Sequence, residues 1–227
     1  MLPSSWRRRF NPIAESLLAG LIGLIIGGFI MLAFGYNPIS AYRSLFFGSF
    51  GSTYSWAESL ANATPLILTA LTFAIAMRGG LFNIGAEGQL YVGALAAVPV
   101  SLMHLPSPFN LIVSLLAAMV AGMIWSLPVA LLKLGRGVHE VLSTIMFNWI
   151  AHFFAFYLIA NVLTDPKRGE RTISIVESAR LTRILPMATL NSGILISLIT
   201  VAVILFFLWR TSAGFEVRAA GYNQEAS

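Results

Sequence analysis

Residues 77–97 read MRGGLFNIGAEGQLYVGALAA, and they separate two apolar runs, Ala63–Met77 and Leu90–His104, of fifteen residues each. At about 1.5 Å of rise per residue each run covers about 22 Å, short of the roughly 30 Å of a bilayer's hydrocarbon core. If both runs are membrane segments, part of residues 78–89 must lie at membrane depth. Irregular backbone is tolerated there only where protein buries it or a water-filled path runs beside it. The expectation is a broken helix. Gly79 and Gly80 end the second membrane helix, Asn83 caps the third, and Gly85, Ala86, Glu87 and Gly88 form its first turn. Such a turn offers unpaired N–H groups and a positive dipole end, which Glu87 complements.

Composition sets the class. Of 227 residues 57% are apolar and 10% charged, with a mean hydropathy of +0.81, whereas soluble domains are roughly 25% charged. This is an integral membrane protein, and the expected fold is all-α: a polytopic transmembrane helical bundle forming one domain over 1–227. Without cysteine neither a disulfide framework nor a thiolate metal site is possible. The net charge of +5 comes from basic residues scattered over loops, which excludes a nucleic-acid-binding face. His139 to Ser143, HEVLS, begins like a zinc-binding H-E-x-x-H helix, but Ser143 stands where the second histidine is needed. His104, His139 and His152 have no mutual metal-ligand spacing, so no metal and no cofactor is expected. Walker, nucleophile-elbow and dinucleotide motifs are all missing, so the chain is not an enzyme and cannot hydrolyse ATP alone.

About six membrane helices are legible: Ala14–Gly35, Ala63–Met77, Leu90–His104, Phe109–Leu132 with Pro128 inside it, Val141–Leu163 and Gly193–Trp209. In the first, Ala19, Gly23 and Gly27 recur every fourth residue, a stripe that lets another helix approach closely. Tyr36–Asn62 reads as an outer-surface segment, with Asn37-Pro38 starting a helix and Tyr42, Phe46, Phe47, Phe50, Tyr54 and Trp56 forming an interfacial aromatic set. Arg7, Arg8, Arg9, Arg78, Lys133, Arg136, Arg210 and Arg218 fall on one side of this topology, which places the N-terminus in the cytoplasm. The segment 164–190 falls on the other side. Its Lys167, Arg168, Arg171, Arg180 and Arg183, mixed with Asp165, Glu170 and Glu177, give it the composition of a solvated docking surface.

The candidate substrate pathway comprises Phe82, Asn83, Glu87, Gln89, Asn148 and Trp149. Asn83 and Glu87 share a helix face, whereas Gln89 lies about 200° from Glu87 and shares a stripe with Gly85, Gly93 and Ala97. Glu87 therefore either neutralises the helix end or Arg78, or touches a solute. Asn148 is interhelical glue or a solute contact, and Trp149 suits the stacking of a base. Glu140 either caps or pairs, or belongs to a gate. An ion-coupled secondary transporter is the competing class, and Glu87 is the acid available to its proton relay.

The segments GYNPISAYRSLFFGSFGS, ATPLILTALTFAIAMRGGLFNIGAEGQLYVGALAA and GVHEVLSTIMFNWIA resemble the permease subunits of ABC importers in the ribose and branched-chain amino acid permease superfamily, and GLFNIGAEGQ resembles the nucleoside branch. The final VRAAGYNQEAS is similar to that family's cytoplasmic segment that docks on the ATPase, which implies coupling roles for Arg218, Gly221, Asn223 and Glu225. The family pattern tends to put proline after the asparagine, where this chain has Gln224. The resemblance implies a bacterial cytoplasmic (inner) membrane protein that moves a small polar solute, a nucleoside or a simple sugar. It also implies an ATP-binding cassette ATPase, a second permease subunit and an extracytoplasmic solute-binding protein as partners. Family members continue through further membrane helices, so the chain is expected to be incomplete at its C-terminus.

Overall fold

The computed structural model describes residues 4–169 and 171–222, with side chains from Ala14 onward. The described residues form eight α-helices, α1 Ser4–Ala33, α2 Pro38–Phe50, α3 Thr53–Arg78, α4 Ala86–Ser101, α5 Phe109–Arg136, α6 Glu140–Asn161, α7 Gly193–Arg210 and α8 Ser212–Tyr222. The chain divides into two compact units, Met1–Ser59 and Leu60–Ser227. Five helices are long and apolar enough to cross a membrane: α1 from Ala14, α3, α5, α6 and α7. The remaining expected segment is α4, whose 16 residues extend about 24 Å.

In the first unit, Asn37 caps α2 through its side-chain oxygen, which accepts from the amides of Ile39 and Ser40, and Pro38 follows at the first helical position. The Tyr42 hydroxyl donates to the Leu24 carbonyl of α1. Of the small-residue stripe, Gly27 meets α2, since a Cβ there would stand 3.1 Å from the Tyr42 hydroxyl, while Gly23 faces open space.

One expectation is corrected by the length of α3. The helix starts at Thr53, inside the segment expected to lie outside the membrane, and runs through Pro65 for 26 residues, about 39 Å. An apolar run records which residues suit hydrocarbon, not how far a helix extends. Residues 53–62 include Ser55, Glu58 and Asn62, which suit a helix without suiting lipid. Hence α3 needs no contribution from the break to reach across a bilayer, and α4 is the short helix.

In the second unit α4 packs against both α5 and α6 through glycines. A Cβ on Gly93 would stand 2.9 Å from the Ala118 carbonyl oxygen, and one on Gly122 3.3 Å from that of Gln89. Toward α6, a Cβ on Gly88 would stand 2.9 Å from Asn148 Oδ1 and 3.2 Å from Ala151 Cβ. Packing of small residues replaces the hydrophobic effect as the means of holding helices together in lipid. At the far end of α4, Asn110 is fully buried and its amide donates to the Ser101 carbonyl and to the Ser178 hydroxyl. The segment 164–190 is therefore not a wholly solvated loop, because Ala179, Ala188 and Leu190 are buried as well.

Candidate functional site

The break at 79–85 is built by local chemistry on its α3 side. Gly80 adopts φ +73°, a left-handed conformation suited to glycine. With it, Leu81 N–H donates to the Ala76 carbonyl at 2.9 Å and Gly80 N–H to Met77 at 3.2 Å, the paired bonds of a Schellman stop. The chain then runs without helix from Leu81 to Ile84.

On the α4 side the expected cap is corrected. Gly85, not Asn83, holds the N-cap position, and it brings no side-chain bond. Asn83 Oδ1 accepts from Gly85 N–H at 2.8 Å, an Asx turn that leads into the helix from two residues upstream. The first-turn amide of Gly88 is satisfied from another helix, by Asn148 Oδ1 of α6 at 2.8 Å. The same carboxamide donates through Nδ2 to the Ile84 carbonyl at 2.9 Å. Leaving such an amide unpaired in an apolar setting costs about 1–3 kcal/mol, so a helix start without its own cap depends on this neighbour.

Where α5 turns into α6, Lys133 Nζ lies 2.9 Å from Glu140 Oε2 in a half-buried ion pair. Glu140 Oε1 also accepts from Phe82 N–H at 3.5 Å. Glu140 thus ties the break to the α5–α6 turn, and His139 caps α6 beside it.

These elements enclose a cavity of about 170 Å³. Its polar groups are Asn83, Gln89, Ser126, Thr144, Lys133 and Glu140, and its aromatic walls are Trp125 and Phe147. Trp125 meets Phe147 edge-on at 5.7 Å and stacks on Phe154 at 6.1 Å with 11° between the rings. Its indole nitrogen is buried and has no hydrogen-bond partner among the described residues. Amide, hydroxyl and charged groups facing two aromatic walls can bind a small polar solute that has a flat, hydrogen-bonding part.

Of the candidate pathway, Asn83 and Gln89 line this cavity and Gly85 forms part of its wall. Asn148 does not line it but clamps both sides of the α4 start. Glu87 is exposed beside Tyr91, one turn along α4. Phe82 is 40% exposed and meets Phe73 edge-on at 5.1 Å. Trp149 is 59% exposed and stacks along its own helix on Phe153. His152 lies between helices, its ring 5.7 Å from that of Tyr91. Sequence reading missed Trp125, Ser126, Thr144 and Phe147. The spacing of Ala118, Gly122, Trp125, Ser126, Val129 and Lys133, at three and four residues, was the signal that they share one face of α5.

Behind the break lies α8. Thr211 caps it by accepting from Gly214 N–H at 3.0 Å. Gly221 lies inside α8. Its role is close approach, for any Cβ there would collide with the Arg78 carbonyl oxygen and crowd Gly80 N. Arg218 places its guanidinium 4.4 Å from the Trp209 ring centroid, and Arg78 reaches the same ring at 5.7 Å. The implied coupling residues Asn223 and Glu225 lie outside the described residues. At the opposite end of α4 and α5 a second cavity of about 360 Å³ is lined by Ser114, Arg180, Arg183 and Asn191 among others.

Comparison with known proteins adds relatives to this geometry. The family profile described as "Branched-chain amino acid transport system / permease component" matches residues 55–227. The chain is 40% identical to the guanosine ABC transporter permease protein NupP of Bacillus subtilis, over 97% of its own length and 64% of that protein. It is 37% identical to the nucleoside ABC transporter permease protein NupB of Lactococcus lactis, over 93% of its length and 61% of that protein. With the glucose ABC transporter permease protein TsgB13 of Haloferax volcanii it shares 32% identity, over 93% of its length and 59% of that protein. The chain therefore spans about three-fifths of the length of these relatives. No solved structure matches.

Proposed function

The chain belongs to the permease component family of branched-chain amino acid transport systems, and from that premise we propose that it is a multi-pass membrane subunit of an ATP-driven importer, with a nucleoside as the solute. The observation that carries this reading is the cavity beside the helix break. Its amides, Asn83 and Gln89, present both donors and acceptors, as a nucleobase edge requires, and Trp125 and Phe147 offer aromatic surface for its flat face. The relatives named for guanosine and nucleoside transport support the same solute class.

A simple sugar is the second reading, favoured by the glucose permease relative. Ion-coupled exchange is the weaker class, because Glu87 is exposed and lies outside the cavity, and the acid that does line it, Glu140, is held in an ion pair by Lys133. On this reading an ATP-binding cassette ATPase, a second permease subunit and an extracytoplasmic binding protein complete the importer; the naming of the relatives as ABC transporter permease proteins supports the ATPase. Along α3 to α8, the break, Lys133 and α8 fall at one end of the helices and segment 164–190 at the other. This fits cytoplasmic placement of Arg78, Lys133, Arg136, Arg210 and Arg218 in a bacterial inner membrane, and the basic Arg7, Arg8 and Arg9 support a cytoplasmic N-terminus by the same rule.

The test is uptake of labelled guanosine and of labelled glucose by proteoliposomes holding the assembled importer, with and without ATP. ATP-dependent guanosine uptake that falls about tenfold or more in Gln89→Ala is expected, the loss of a hydrogen-bonding group to bound solute. Glucose uptake without guanosine uptake would transfer the assignment to the sugar reading, and uptake independent of ATP would end both.

A further inference from the structure

We propose that Asn148 is a positioning residue for solute recognition: it never touches the solute but sets the placement of Asn83 and Gln89 by latching the start of α4 to α6. The inference rests on the reading that the 170 Å³ cavity holds the solute.

Helix α4 enters from a Gly85 cap that supplies no side-chain acceptor. Its first turn therefore takes a side-chain cap from outside the helix. Asn148 accepts from Gly88 N–H at 2.8 Å and donates to the Ile84 carbonyl at 2.9 Å. The two latch points bracket the start of α4: Ile84 directly follows Asn83, and Gly88 directly precedes Gln89. Both cavity amides thus sit one peptide from an atom that Asn148 holds. A carboxamide is the group that can serve both ends, because a carboxylate lacks the donor and an aliphatic side chain lacks both. Glycine at 88 is part of the same latch, since a Cβ there would stand 2.9 Å from Asn148 Oδ1. Rotation or sliding of α4 against α6 would break both bonds together and move Asn83 and Gln89 relative to Trp125 and Lys133 across the cavity.

The experiment compares the assembled importer with Asn148→Leu and Asn148→Asp, measuring KM and kcat of solute-stimulated ATP hydrolysis together with hydrogen exchange across residues 82–92. The expected result for Asn148→Leu is a KM raised about tenfold with kcat changed less than about threefold, the loss of placement rather than of turnover. Exchange in 86–90 should rise while that in α5 does not. Asn148→Asp keeps the acceptor, so it should keep Gly88 protected and lie between wild type and Asn148→Leu in KM. Unchanged exchange at 86–90 in both variants would overturn the latch itself. Faster exchange with KM and kcat reduced in parallel, or both unchanged, would overturn its role in recognition while leaving the latch. Should Asn148→Leu fail to assemble, Asn148→Ala, which removes both latch groups with less bulk, gives the same two readouts with the same expected and overturning results. If wild type shows no solute stimulation at all, the cavity assignment fails, and the exchange arm still decides the latch.

Discussion

Single glycines in this chain separate into those that meet another backbone and those that do not. Gly93 lies against the Ala118 carbonyl, so Gly93→Leu should force α4 and α5 apart and cost about 1–3 kcal/mol, read as a lowered Tm in detergent. Gly23→Leu is the control: a Cβ there meets nothing within 4 Å, and its Tm should stay near that of the wild type. Gly80 is limited by conformation instead. At φ +73°, Gly80→Ala should cost about 1–2 kcal/mol from the backbone conformation it must adopt. Equal Tm losses at 23 and 93 would contradict the assignment of Gly93 to a close helix contact.

Between elements, two contacts link the break to its neighbours. The Lys133 to Glu140 pair joins α5 to α6 and is half-buried, so a double-mutant cycle with Lys133→Ala and Glu140→Gln should return a coupling of about 1 kcal/mol that shrinks at high salt. A coupling of zero would mean that the Phe82 amide, not Lys133, is what Glu140 serves. The second contact is that of α8, whose Gly221 rests on the carbonyl of Arg78 at the end of α3. Any movement of α8 must then press on the residues that open the break. On the proposed reading, Gly221→Leu in the assembled importer should leave binding-protein docking intact and abolish solute stimulation of the ATPase, because ATP would shift a permease between states only through a contact that differs between them. Stimulation that survives this change would show that energy enters elsewhere.

For the molecule as a whole, the two ends of the α4–α5–α6 group have different chemistry. One carries the break, the ion pair and the aromatic cavity, while the other carries Arg180 and Arg183 around a second cavity and Arg171 on the exposed surface. On the proposed importer reading, with segment 164–190 as the docking surface, charge reversal at Arg171 should weaken binding-protein association and flatten its salt dependence, since exposed charges steer docking more than they add affinity. Arg180 also donates to the Ile175 carbonyl at 3.1 Å, so its reversal should lower stability as well. Uptake and salt response unchanged in Arg171→Glu would remove this surface from the docking reaction.

The membrane class, the helical fold, the start of α2 at Asn37-Pro38 and the stop of α3 at Gly79-Gly80 were determined by sequence alone, because each depends on composition or on groups within a few residues of one another. Part of the candidate cavity was legible for the same reason: Asn83 and Gln89 stand in the stretch whose irregularity drew attention to it, and both line that cavity. The tertiary structure decided the rest. The extent of α3 was hidden because hydropathy reports the preferred solvent of a segment and not its backbone conformation. Trp149 and Trp125 are equally aromatic in the sequence, and only the way α5 and α6 turn toward α4 puts Trp125 at the cavity and Trp149 on the outside. Gly221 could be read locally as a breaker, yet its requirement comes from the Arg78 carbonyl of another helix. An asparagine suits a solute as well as a helix end; Asn148 became a cap because its partners, 60 and 64 residues away, are delivered by packing, which no local pattern encodes.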